Sequence, residues 1–414
     1  MKLNEEERAL LAGEGGRARQ WAIRHQIEVG RFFDAEDMVE VDQAHVMADP
    51  ESLGEAGVRW LSDIAGLPEA ERRVRVPTIT DPRGVDFAAY KRLQQTDAMA
   101  SLEERAIHAF EAMGVLMTNT CINYQTILPP VRGEHVAFGD TGVVIYSNAV
   151  FGARSNFEGG PSAIAAGLTG RTPRYGYHLE KNRLGTRLFE LRHQPKDFSE
   201  WGALGAVVGR GSGSYWAVPV ITGVENAPTS DDLKHFGAAL ASFGSVAMFH
   251  MIGVTPEAPT LADAFDGPPP PASPITAEDI ANVYEGYAAR GDKVDVVVFS
   301  APQLSLIELE KVANLLDGRH VHRETTLIAA TSPEIKFAAD RMGLTRRIED
   351  SGGIVLSGVC FYQSYAREMA EANGWSRLMS NSAKLVNIIG GYGYKPTLAT
   401  MERCVDSAVA GKVL

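Results

Sequence analysis

Gly142-Val-Val-Ile-Tyr-Ser-Asn148, followed by Phe151-Gly-Ala-Arg-Ser-Asn-Phe-Glu-Gly-Gly-Pro-Ser162, is the stretch from which the fold class is read. The apolar run Val143 to Tyr146 predicts a buried strand. It stops in Ser147, Asn148, Arg154, Ser155, Asn156 and Glu158. Pro161 then stands in the first turn of an Ala-rich helix over 163–168, where a missing N–H costs little. Strand, polar loop and helix start form the turn at which α/β proteins bind ligands, because backbone N–H groups and the helix dipole favour an anion there. An ordinary βα turn has the same outline. The density of Asn, Arg and Glu in one loop favours a site.

Moving outward, the C-terminal part reads as repeated β–α units. Strands are predicted at 294–299, 326–331, 353–359, 377–379 and 394–398, each followed by a helix: 304–316, 333–342, 361–373, 382–389 and 401–410. Continuous apolar strands alternating with helices imply a mostly parallel sheet covered on both faces, with ligands at the strand carboxyl ends. Before it, helices are predicted at 4–13, 16–33, 54–65, 102–113 and 231–240. Strands are predicted at 38–46, 73–80, 114–120, 201–208, 215–224 and 245–251. Pro256, Pro259 and Pro268-Pro-Pro-Pro271 exclude helix or central strand and predict a stiff connector. The expected organisation is an N-terminal α/β region 1–253 carrying Cys121 and the loop 147–162, a connector 254–274, and a C-terminal α/β domain 275–414 carrying Cys360 and Cys404. The fold class is α/β, in α/β/α layers.

With 414 residues, 45% hydrophobic and 22% charged, the chain has globular values and room for two or three domains. The net charge of −12 and the lack of a dense Lys/Arg run argue against nucleic acid or an anionic membrane as partner. No apolar run reaches the ~18–20 residues of a membrane span. The acidic start Met1-Lys-Leu-Asn-Glu-Glu-Glu-Arg8 is unlike a signal peptide, so the expected place is the cytoplasm.

The three cysteines are Cys121, Cys360 and Cys404. An odd, low count argues against a disulfide framework, and a lone buried thiol more often acts as a small apolar residue. Their placement points further. Cys121 and Cys360 each follow a predicted strand, and Cys404 lies in the first turn of the last helix behind Thr400 as N-cap. Three thiolates around one point would bind iron or an iron–sulfur cluster and leave a position for substrate. There is no CxxC pair, so the argument rests on placement.

Further segments are Gly13-Glu-Gly15, Asp42-Gln-Ala-His45, Gly54-Glu-Ala-Gly57, Gly133-Glu-His-Val-Ala137 and Ser147 to Asn156. Glu158-Gly-Gly-Pro-Ser162, Leu168-Thr-Gly-Arg-Thr-Pro173 and Ser380-Asn-Ser-Ala-Lys384 complete the set. Through these the chain resembles, over nearly its whole length, the large catalytic subunit of the aconitase X group of the aconitase superfamily. The resemblance implies an aconitase-like fold and a hydro-lyase. The expected reaction is water loss from cis-3-hydroxy-L-proline to a pyrroline carboxylate. A phosphomevalonate dehydratase, or a non-catalytic aconitase-like subunit, is the alternative. It also implies an iron–sulfur cluster (2Fe-2S or 4Fe-4S) or mononuclear iron on Cys121, Cys360 and Cys404. The swivel domain is expected on a separate small subunit that supplies the base, which makes the enzyme a heteromer.

Within this chain, Arg154 is expected to clamp the substrate carboxylate. Lys384 would do the same or steady the developing enolate. Glu158 and His45 are candidates for proton relay, and Asn148, Ser155, Asn156 and Ser382 for substrate binding. An Arg154–Glu158 ion pair and a satisfied strand-end His45 are the structural alternatives. The chain departs from the family's pattern near the expected site. Ile122-Asn123-Tyr124 follows Cys121 in place of Thr-Pro-Tyr, Gly358-Val359 precedes Cys360 in place of Asp-Thr, and Ser300-Ala-Pro-Gln303 replaces a Gly-Cys-Pro-His-type turn.

Overall fold

The computed structural model describes residues 1–289 and 291–414. Its largest sheet has five parallel strands in the order Ile354–Ser357, Thr326–Thr331, Val296–Leu304, Arg377–Ser380 and Lys395–Leu398. Val296–Leu304 is buried along its whole length. Its side chains alternate between two cores, as the pleat requires. Val297 and Phe299 meet Leu309, Val312, Met401 and Val405 on one face. Val296 and Val298 meet Ala366, Met369, Leu385 and Ile389 on the other. The strand order reverses between Val296–Leu304 and Arg377–Ser380, which opens a crevice at their carboxyl ends.

Two smaller parallel sheets precede it. One has the order Thr78–Thr80, Gln43–Val46, Val136–Phe138. The other has the order His250–Met251, Pro219–Thr222, Arg187–Leu191, Ala272–Ile275. Met38–Glu40 pairs antiparallel with Arg171–Pro173. No described helix is long and apolar enough to cross a membrane.

Several local expectations are corrected. Val143 to Tyr146 is helix, not strand: Thr141–Tyr146 is capped by Asp140, whose Oδ1 accepts from the N–H groups of Gly142 and Val143 at 2.7 and 3.0 Å. A run of four apolar residues carries no period that separates the two states. The stretch 201–208 is also helix, within Phe198–Ser212. Its glycines serve contact with the helix Ser230–Gly244. A Cβ on Gly205 would come within 2.3 Å of the Phe236 carbonyl, and one on Gly209 within 2.9 Å of that of Leu240. Residues 114–120 form no strand and meet the sheet through the bridge Ile79↔Leu116 and hydrogen bonds to Thr80. The proline-rich stretch ends in sheet, since Ala272–Ile275 pairs with Arg187–Leu191. It is an edge strand, where Pro274 is tolerated.

A buried ionic cluster joins these layers. Lys234 Nζ bonds Glu308 and lies 2.9 Å from Asp231 and 3.3 Å from the Gln303 carbonyl. His235 Nε2 meets Glu308 at 2.6 Å. Asp231 accepts from Ser305 Oγ at 2.7 Å and from Gln125 Nε2 at 3.0 Å.

Candidate active site

Two of the three thiols meet at the crevice. Cys121 follows Thr120, whose N–H donates to the Thr80 carbonyl at 3.0 Å and so extends the end of Thr78–Thr80. Cys360 follows Ile354–Ser357. The thiols are buried and unbonded covalently. Contact with Cys360, then burial, pushes the Cys121 thiol well above its ordinary range. The segment Ser300 to Gln303 wraps both sulfurs. Ser300 Oγ lies 3.6 Å from Cys360 Sγ and accepts from the Phe361 N–H at 3.1 Å. The Gln303 N–H donates to Cys121 Sγ at 3.5 Å, and its Oε1 accepts from the Cys121 N–H at 3.2 Å. Gln303 Nε2 lies 3.2 Å from each of the carbonyls of Asn119, Thr331 and Val359.

Lys384 supplies the positive charge. It lies in the first turn of Ala383–Ile389, capped by Ser382, whose Oγ accepts from the Leu385 N–H at 3.1 Å and donates to the Ala301 carbonyl at 2.5 Å. Lys384 Nζ is 3.4 Å from Asp140 Oδ2 and 3.1 Å from Thr141 Oγ1, and lies 5.7 Å from the Tyr362 ring centroid. Burial opposes its charge, but Asp140 and then the two thiols outweigh burial and hold Lys384 above the usual lysine value.

His45 and Asp81 complete the pocket. His45 Nε2 donates to the Thr120 carbonyl at 2.8 Å and lies 3.7 Å from Asp81 Oδ1. Burial lowers the His45 pKa, which keeps the ring neutral. Burial, then Asp140 and Cys121, raises the Asp81 carboxyl far above its ordinary value. Gln363 Nε2 donates to Asp81 Oδ2 at 2.9 Å. His45 Nδ1, Asp81 Oδ1 and the Tyr124 hydroxyl are buried without a hydrogen-bond partner. Orphaned buried polar atoms are costly, and a ligand is one of the things that satisfies them.

The other expected residues lie elsewhere. Cys404 sits in Met401–Ala410 behind its Thr400 cap, with Sγ 3.8 Å from the Ala399 carbonyl. It packs with Leu309, Val312 and Met401, while Cys360 belongs to the core on the opposite face of the sheet. A three-thiolate set is therefore not formed. Among the described residues, no group of three or more His, Cys, Asp or Glu side chains is placed to hold a metal ion.

Arg154 pairs with Glu180, not with Glu158, and lies 3.5 Å from the His178 carbonyl. It stands opposite His135, before the start of Val136–Phe138, whereas Asp140 and Lys384 lie beyond that strand's other end. Glu158 accepts from Thr172 Oγ1 at 2.8 Å, and burial raises its pKa to about 7. The loop's remaining polar groups bind one another. Asn148 Oδ1 accepts from the Ser155 N–H at 2.9 Å, and its Nδ2 donates to the carbonyls of Ser155 and Ala247 at 2.8 and 2.9 Å. Ser155 Oγ donates to the Asn156 carbonyl at 2.9 Å and accepts from the Phe138 N–H at 3.1 Å. Asn156 Nδ2 donates to the Tyr175 carbonyl at 3.1 Å and its Oδ1 accepts from the Tyr177 N–H at 3.0 Å. Of the expected residues, Cys121, Cys360, His45, Lys384 and Ser382 come together; Cys404, Arg154, Glu158, Asn148, Ser155 and Asn156 do not. Asp81, Asp140, Tyr124 and Gln303 join the site unforeseen. Asp81 and Asp140 carry only turn and cap signals, and Gln303 stands in the segment that departs from the family's pattern.

The chain is similar to known proteins along its length. Family models described as the Aconitase X first, second and third domains match residues 1–181, 185–285 and 294–410. The phosphomevalonate dehydratase large subunit of Methanosarcina mazei is 33% identical, with 100% of this chain and 98% of that protein covered. The cis-3-hydroxy-L-proline dehydratase of Pseudomonas aeruginosa is 31% identical, with 99% of this chain and 70% of that protein covered. The crystal structure of Thermococcus kodakaraensis aconitase X in its holo-form superposes with a TM-score of 0.87 at 28% identity, covering 99% of this chain and 100% of that one.

Proposed function

The chain belongs to the aconitase X family, and on that footing we propose that it is the large subunit of a hydro-lyase that removes water from a small hydroxy-carboxylate. The observation that carries the substrate class is Lys384, a buried ammonium 3.4 Å from Asp140 Oδ2 and 3.1 Å from Thr141 Oγ1 at a sheet switch point. One such cation suits one carboxylate, which favours cis-3-hydroxy-L-proline. A phosphorylated mevalonate would ask for a second cation, and Arg83, which bridges Val359 beside Cys360, gives its guanidinium to the Ser357 carbonyl and the Phe87 ring. The second reading is favoured by identity, 33% to the Methanosarcina phosphomevalonate dehydratase large subunit against 31% to the Pseudomonas hydroxyproline enzyme.

Water loss needs a proton taken from the carbon beside the carboxylate and a proton given to the leaving hydroxyl. Lys384 Nζ would bind the carboxylate and steady the charge that builds on it as the proton leaves. Burial favours the protonated form of Asp81, and its unpartnered Oδ1 would give that proton to the hydroxyl. Neutral His45, fixed through Nε2, lies beside Asp81 and would help return the proton. The base is expected from a small subunit, which accords with the name "large subunit" carried by the archaeal relatives. The aconitase superfamily uses iron or an iron–sulfur cluster as Lewis acid. The thiols gathered here do not fit a three-thiolate centre, and no step above passes through one.

The test is an assay of the purified two-subunit complex with cis-3-hydroxy-L-proline and with 5-phosphomevalonate. Turnover of the first, lost in Lys384→Met, is expected. Turnover of the second alone selects the second reading, and an intact complex inert on both overturns the proposal.

A further inference from the structure

The segment that joins the two sulfur contacts holds no thiol of its own. Ser300 Oγ touches Cys360 Sγ at 3.6 Å, and the Gln303 N–H touches Cys121 Sγ at 3.5 Å. Ala301 and Pro302 lie between those two contacts. Ala301 is fully buried, shares a core with Cys360 and Phe361, and accepts from Ser382 Oγ at 2.5 Å. Its backbone therefore runs beside both sulfurs and the segment that carries Lys384.

We propose that this centre is a two-thiol site that carries no three-thiolate iron–sulfur cluster, and that Ala301 is the position at which one cysteine would complete the set. Cys404 cannot serve in its place. Its helix is packed on the opposite face of the five-stranded sheet through Met401 and Val405. Bringing its sulfur to Cys360 would mean unpacking that helix from Leu309 and Val312 and passing the sheet itself. Clusters held by thiolate alone take three or four of them, a two-thiolate cluster of the Rieske kind adds two histidines, and among the described residues no group of three or more His, Cys, Asp or Glu is placed to hold a metal. Ala301 has φ +56°, in the left-handed region. Alanine already bears the cost of a Cβ there, so cysteine adds no new backbone strain. Serine adds similar bulk without a thiolate and is the matched control.

The inference rests on the family reading only for the identity of the group that would bind. Metal content is counted without substrate, so an inert dehydratase assay leaves it standing. The full chain and its variants would be incubated anaerobically with ferrous iron, sulfide and a thiol reductant, desalted, and measured for iron, sulfide and visible charge-transfer absorption. Folding is checked by thermal melt. Ala301→Cys is expected to retain about tenfold or more iron and sulfide than the unaltered chain or Ala301→Ser. That gain should vanish when Cys121→Ser or Cys360→Ser is added and survive Cys404→Ser. Stoichiometric iron and sulfide in the unaltered chain overturns the proposal. So does a folded Ala301→Cys that gains none, or a gain that depends on Cys404.

Discussion

Gln303 and Cys121 hold each other twice, through the Gln303 N–H on the sulfur at 3.5 Å and through the Cys121 N–H on Gln303 Oε1 at 3.2 Å. The same side chain also serves carbonyls of three separate segments. Gln303→Ala leaves these buried groups unpaired and should cost about 2–4 kcal/mol, read as a lower urea midpoint. Because the Cys121 N–H loses its side-chain acceptor, the segment that carries the sulfur loosens and its reaction with a thiol reagent should quicken in the same variant. An unmoved midpoint would remove Gln303 from its organising role.

Lys384 and Arg154 separate the pocket from the polar loop. Lys384→Met should lower turnover by about 100-fold or more, the scale of losing a charge aimed at the transition state. Arg154→Ala breaks a pair with an exposed glutamate and should change turnover and KM by less than about twofold. Steady-state kinetics on both variants decide the matter; comparable losses would place both side chains at the substrate.

Glu158 gives stability a slope with pH. Burial moves its pKa from 4.5 in the unfolded chain to about 7 in the folded one. Between those values the folded state keeps the proton and the unfolded state has lost it. Stability therefore falls as pH rises through this window, by about 3 kcal/mol at most, and levels off above it. Glu158→Gln keeps an acceptor for Thr172 and removes the slope. The variant should match the parent at about pH 5 and exceed it at about pH 8 in denaturant unfolding. Parallel curves would refute the assignment.

Glu308 works in the opposite sense. Burial alone would raise its pKa, but Lys234 and then His235 outweigh burial and hold it at about 2, below the ordinary 4.5. Its contribution is complete above 4.5 and lost as pH falls toward about 2. Glu308→Gln leaves Lys234 buried with Asp231 alone, and should cost about 3 kcal/mol near neutrality. Unfolding measured down through the acid range should show the gap between parent and variant narrowing.

The five-stranded layer was legible because a doubly covered strand such as Val296–Leu304 is apolar throughout. Thr141–Tyr146 and Phe198–Ser212 were not. The first is too short to show a period, and in the second the glycines that admit Ser230–Gly244 mimic a Gly-rich strand. Cys360 follows the strand Ile354–Ser357 as expected, whereas the stretch before Cys121 is no strand and reaches the same edge through the Thr120 N–H on the Thr80 carbonyl. Position behind an N-cap located the helix end for Cys404 but carried no information on which face of the sheet the helix would cover. The polar loop has a second account that its sequence does not show: Asn148, Ser155 and Asn156 satisfy one another and the backbone around them.

The Lys234 cluster ties the helix Ser230–Gly244 to Ser305 and Glu308 beside one sheet and to Gln125 on the far side of the crevice. Rivets of that kind lock the helix to the layers it crosses. Amide hydrogens in the helix and in the strands it borders should then exchange as one cooperative unit, released in a single opening event.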